Sequence, residues 1–199
     1  MESLFDKWKT KIAKYSENHK GLFAAFADKG GAEGEKRVNL GKHFSTQYEL
    51  YLYAFFLGLY ENEYTPIEKG ENRMDFSHHI MYWGSKTTKA LWRKDFTNLQ
   101  EYMFMALLAK TEIDFIALEK GELSEDDAVR QLMITLESYT NGGLNLIQDK
   151  LNDNPNYFLN PTSFLDLILK NSKQEKSDNM EIDKDNVEFI FSTDSEGDI

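Results

Sequence analysis

From Leu50 to Tyr60 no position is charged or strongly polar, and five of the eleven residues are aromatic. Such a run cannot face water, so it marks the centre of the fold. Tyr and Phe favour strands, but the run exceeds an ordinary strand and shows no polar alternation. The pattern predicts a helix over 46–60, buried on all sides and started by Ser45 or Thr46 as cap. Gly58 would let a neighbouring helix approach closely, and Pro66 lies beyond the end.

Other periodic stretches surround it. Leu4, Trp8, Ile12 and Tyr15 predict an amphipathic helix across 2–18, with Lys7, Lys9, Lys11 and Lys14 toward water. Phe23 and Phe26 precede a segment of loop composition, Lys29 to Glu35. Phe76, Ile80 and Trp83 fall at helical spacing within the connecting region 61–85. Residues 86–110 read as helix, with Thr97 capping a second part in which Leu99, Met103, Ala106 and Leu107 share a face. Ile113, Phe115, Ile116 and Leu118 follow, up to a stop at Gly121.

Ser124-Glu125-Asp126-Asp127 resembles a capping box, with acids where the helix dipole favours them. Val129, Leu132, Met133, Leu136 and Tyr139 then line one face. Asn141-Gly142-Gly143 reads as a left-handed stop. A short helix through Leu144, Ile147 and Leu151 ends before Pro155, and Asn160-Pro161 opens a last one carrying Phe164, Leu165 and Ile168. The expectation is all-α: an irregular bundle of about six or seven helices around 46–60, forming one domain over 1–170.

From Asn171 onward polar and charged residues dominate, predicting a flexible acidic tail over 171–199. One apolar island interrupts it, with Val187, Phe189, Ile190 and Phe191 as docking residues, for the chain's own body or for a partner. The tail holds nine acids and three lysines, so −6 of the net charge of −11 lies there. The body is only mildly acidic, which leaves nucleic-acid contact open. There is no cysteine, which excludes disulfides, thiolate catalysis and cysteine-based zinc sites. The first residues lack a basic stretch followed by an apolar one, and no apolar run reaches the roughly 20 residues of a membrane span. A cytoplasmic protein with no membrane partner is expected.

Four constellations bear on chemistry. Asp75 and His78 have the acid-x-x-His spacing of a helical metal site, and His79 adjoins them. His19 and His43 have no acid three residues earlier, so the second half is missing and no metal is expected. Gly30-Gly31 and Gly34, followed by Lys36-Arg37, lack the spacing and strand of a P-loop and read as a surface loop. Lys86, Lys89, Arg93 and Lys94 form a basic patch beside Trp92, suited to salt-dependent phosphate or nucleic-acid contact. Glu49 lies at the edge of the apolar helix, where burial disfavours a charged carboxylate unless a cation such as Arg73 or Arg93 answers it. Glu49, Arg73, Asp75 and His78 are therefore the weak catalytic set. Esterase, metalloprotease and cysteine-nucleophile motifs are absent, so nothing argues positively for an enzyme, and no cofactor is expected.

The stretch Thr46 to Tyr60, with Pro66-Ile67 shortly after, is similar to one in small uncharacterised bacterial helical proteins, some associated with DNA phosphorothioation (Dnd) defence systems. It has a polar start, an aromatic-aliphatic helix ending in Leu-Gly-Tyr-like residues, and a proline step. Glu61, Glu63 and Tyr64 stand where those proteins more often carry basic residues, and no residue role transfers. The resemblance implies an accessory component of a DNA-linked bacterial complex. The lack of catalytic motifs and the apolar island of the tail favour a non-enzymatic interaction or adaptor subunit with a protein partner. The alternative is an enzyme or binding protein for a phosphorylated or nucleic-acid ligand.

Overall fold

The computed structural model describes residues 3–27, 42–76, 78–84 and 96–169. Seven α-helices run through them: α1 (Leu4–Lys9), α2 (Lys20–Phe26), α3 (Gln47–Tyr60), α4 (Asn98–Lys110), α5 (Phe115–Glu119), α6 (Glu125–Asp153) and α7 over 163–169. Two short strands, β1 (Lys14–Ser16) and β2 (Arg73–Asp75), pair antiparallel, Lys14 opposite Asp75 and Ser16 opposite Arg73. The fold is therefore mostly helical, but it is not all-α as the periodicity predicts. The chain divides into two compact units, Met1–Asn152 and Asp153–Ile199.

The aromatic run is the helix α3. Leu50, Tyr51, Leu52, Ala54, Phe55, Leu57 and Gly58 are buried, while Tyr53, Phe56 and Leu59 are half-covered and Tyr60 is exposed, so the helix is not buried on all sides as predicted. Glu49 starts it by accepting the N–H groups of Ser45 (2.8 Å) and Thr46 (3.3 Å), two donors a helix start otherwise leaves open. Thr46 stands at the N-cap as predicted, and the Glu49 carboxylate closes the capping box from the third position of the helix.

Gly58 does admit a neighbour, and the neighbour is α6. A methyl group at Gly58 would sit 2.0 Å from the Tyr139 carbonyl oxygen, and one at Gly143 would sit 1.9 Å from that of Ala54. The two backbones touch where both sides lack a Cβ. This corrects the reading of Asn141-Gly142-Gly143 as a stop: α6 runs unbroken for 29 residues, Leu144 and Ile147 included. A local stop signal loses because α3 packs onto Gly143 and the chain just beyond α3, at Glu63, packs onto Gly142. Ser124 does cap α6, its Oγ accepting the Asp127 N–H at 3.1 Å and its hydroxyl donating to the Asp127 carboxylate at 2.7 Å.

The helix predicted over 2–18 is also corrected. α1 ends at Lys9, and Thr10 folds back to donate its hydroxyl to the Lys7 carbonyl at 2.7 Å. Beyond it the backbone pairs with residues distant in sequence: Phe76 donates to Ala13 at 2.7 Å and Ile80 to Lys11 at 3.0 Å. Tertiary pairing overrides the helical periodicity. The same pairing makes 73–75 a strand, so Phe76, Ile80 and Trp83 are buried as expected but not on one helix. Tyr51, Phe76 and Trp83 meet as a ring cluster, with centroids 4.5–5.6 Å apart.

On α4, Met103 and Leu107 are buried, and Gln100 donates to the Trp83 carbonyl at 2.7 Å. Phe115 and Ile116 on α5 are exposed instead of joining the core. In the second unit, Phe158 packs on Phe164 with centroids 4.8 Å apart.

Candidate functional site

Polar groups gather where α6 passes β1. From Thr135 to Leu144 every position of α6 is buried, including Glu137, Ser138, Thr140 and Asn141. A helix without a wet side must place each polar group deliberately. Ser138 and Thr140 return their hydroxyls to the carbonyls of Ile134 and Leu136, one turn back. Glu137 and Asn141 reach other elements.

Opposed residues of an antiparallel pair alternately exchange both hydrogen bonds or none. Glu17 donates to Asn72 and Phe76 to Ala13, so Lys14 and Ser16 turn their backbone groups away from β2. The outward groups of Lys14 are met by side chains. Glu137 Oε1 accepts its N–H at 3.0 Å, and the Tyr51 phenol donates to its carbonyl at 2.9 Å. One residue from α6 and one from α3 do for Lys14 what a third strand would do.

Charges surround this junction. Arg73 Nη1 lies 3.8 Å from Glu137 Oε2, and its Nη2 donates to the Ile67 carbonyl at 3.0 Å. Lys14 Nζ lies 3.4 Å from Asp75 Oδ1. Burial pushes the Glu137 carboxyl above its ordinary range, and the charge of Asp75 adds to this; the Lys14 N–H, Arg73 and the Lys14 ammonium pull the other way. Burial raises the Tyr51 phenol far above its ordinary value, and the charge of Glu137 adds to it.

One turn along α6, Asn141 donates its amide to the Thr65 carbonyl at 3.2 Å, which leaves Oδ1 as acceptor for His19 Nε2 at 3.0 Å. Nε2 therefore carries the proton. His19 Nδ1 is buried without a hydrogen-bond partner. Burial lowers the His19 pKa, opposed by Asn141, Glu71 and Asn145. The arrangement thus holds a carboxylate that resists ionisation and an imidazole that resists protonation, each tied to a backbone junction.

The four weak catalytic candidates fare differently. Arg73 and Asp75 come together on one side of β2, beside Glu137 and Lys14. Glu49 is engaged at the start of α3, and His78 is exposed, its carbonyl accepting the Trp83 indole N–H at 3.0 Å. Among the described residues no hydrogen bond or ion pair links Glu49 or His78 to Arg73 or Asp75. Arg73 does lie beside a buried glutamate, but that glutamate is Glu137 and not Glu49. The basic patch Lys86, Lys89, Arg93 and Lys94, the loop Gly30 to Arg37 and the island Val187, Phe189, Ile190 and Phe191 lie outside the described residues.

Comparison with known proteins finds no matching family, no matching curated protein and no matching solved structure. Among the described residues no group of three or more His, Asp or Glu side chains could hold a metal ion, and no helix is long and apolar enough to cross a membrane.

Sequence reasoning passes over Glu137, Thr140 and Asn141, places Tyr51 only in the core, and weighs His19 only as a metal ligand. One signal was available. From Ser138 to Gly143 the helix carries small or polar residues at every position except Tyr139, which suits close backbone packing and makes a poor solvent face.

Proposed function

We propose that this chain is a non-enzymatic interaction subunit whose helical body binds a protein partner. The observation that supports it is a stripe on α4: Tyr102 and Met105 are 60% and 65% exposed, one turn apart. Phe115 and Ile116 on α5 are likewise exposed. Large apolar side chains side by side at a surface are what a partner covers, and an exposed aromatic ring is a frequent energetic anchor. The polar groups that would suggest chemistry serve the fold: Glu49 caps α3, and Glu137 closes the edge of β1. The setting we propose, an accessory component of a DNA-linked bacterial defence complex, rests on the sequence resemblance alone.

The test is affinity purification of the tagged chain from its native host, beside the Tyr102→Ser/Met105→Ser variant. The variant should lose its partner by about tenfold or more in affinity while its melting temperature stays within about 2 °C. Undiminished capture by a folded variant would remove the stripe from the proposal. A parallel chain lacking residues 172–199 separates capture by the body from capture by the docking segment.

A further inference from the structure

The two edges of the small sheet are not equivalent. Glu137 and Tyr51 satisfy both outward backbone groups of Lys14 on the β1 side. On the β2 side, the pairing that turns Lys14 and Ser16 outward also turns Arg73 and Asp75 outward, since they stand opposite those residues. Among the described residues no hydrogen bond meets the outward N–H or C=O of Arg73 or Asp75, and both residues are exposed. An edge with two such N–H and C=O pairs is a template for another strand.

We propose that this edge pairs with β2 of a second copy of the chain, in an antiparallel dimer whose two-fold axis passes through Met74. The sequence Arg73-Met74-Asp75 is its own electrostatic complement. Centred on Met74, antiparallel pairing sets Arg73 against Asp75 of the partner subunit, and Asp75 against Arg73 of the partner subunit. These are also the residues whose backbone groups point outward, so both opposed pairs are of the hydrogen-bonded kind and exchange four N–H to C=O bonds. Opposite charges directly across strands favour this register, and a one-residue slip would oppose groups that point away. The assembly closes at two copies, because the remaining edge on each side is the β1 edge that Glu137 and Tyr51 already seal at Lys14. The product is a four-stranded sheet in the order β1, β2, β2, β1. It is a site distinct from the α4 stripe and does not depend on the interaction reading.

The experiment is sedimentation equilibrium of the full chain from micromolar to near-millimolar concentration, alongside two variants. Asp75→Arg puts like charges across both pairs. Asp75→Pro deletes the outward N–H without touching a bond to β1, since Asp75 faces Lys14 in a pair that exchanges none. A concentration-dependent monomer–dimer equilibrium is expected, with each variant raising the dimer dissociation constant by about tenfold or more at unchanged circular dichroism. Two results would overturn the proposal: a natural chain that stays monomeric throughout, or a dimer that both variants leave intact.

Discussion

Glu137 carries more of the account than any other side chain. It is a buried carboxylate whose ionisation is disfavoured by burial, yet its Oε1 is the acceptor for the Lys14 N–H. Its pKa lies above the ordinary 4.5, so the folded state binds its proton more tightly than the unfolded chain does. The stability it contributes is complete below that ordinary value and is lost as pH rises through the folded value. His19 runs the other way. Its folded pKa lies below the ordinary 6.5, so its contribution is full above that value and is lost as pH falls through the folded one. In urea denaturation from about pH 4 to about pH 9, Glu137→Gln, which keeps an acceptor oxygen, should flatten the alkaline side of the stability profile. His19→Gln should flatten the acid side. Glu137→Leu, which orphans the Lys14 N–H, should cost about 1–3 kcal/mol on the acid side, where the contribution of Glu137 is complete. Slopes unmoved by these changes would remove both groups from the pH dependence. Sequence says that a buried acid needs a cation such as Arg73 or Arg93, but not which acid that is. Glu49 stands beside the aromatic run and attracts the assignment, whereas Glu137 becomes buried only because α6 has no solvent face over its middle turns.

At the scale of elements, the decisive contact is between α3 and α6, where Gly58 and Gly143 remove the side chains that would keep two backbones apart. An alanine at Gly58 would drive its methyl into the Tyr139 carbonyl and should destabilise the fold by about 2–4 kcal/mol, despite alanine's better helix propensity. Gly21 on α2 is the contrast. A methyl there meets nothing within 4 Å, so Gly21→Ala should gain roughly 0.5 kcal/mol. Thermal denaturation of the two variants settles the comparison, and equal, small effects would mean that the crossing is looser than described. The existence of α3 and the close approach at Gly58 are legible in the chain, but its burial on all sides is not met, because Tyr53, Phe56 and Leu59 are half-covered and Tyr60 is exposed. Gly142-Gly143 is not legible in the same way. Two adjacent glycines after an asparagine look like a helix end locally, and only the packing partner shows that they are a contact surface. The strands escape for a related reason: three residues each is too short for a period to register, and they form because 13–17 and 72–76, far apart in sequence, find each other.

For the whole molecule, the asymmetry of the sheet edges is the feature from which assembly follows. One edge is closed at Lys14 by Glu137 and Tyr51, while the other presents Arg73 and Asp75 to solvent. Neither property is visible from composition, because each depends on which residues of a two-stranded pair point outward. Amide hydrogen exchange resolved by NMR reads both edges in a single experiment. At low concentration the Lys14 amide should exchange slowly, held by the buried carboxylate, while the amides of Arg73 and Asp75 exchange at rates close to those of an open chain. At high concentration the latter two should slow as the second copy pairs with them. A Lys14 amide that exchanges as fast as those of Arg73 and Asp75 at every concentration would contradict the sealed edge, and with it the assembly built on its free counterpart.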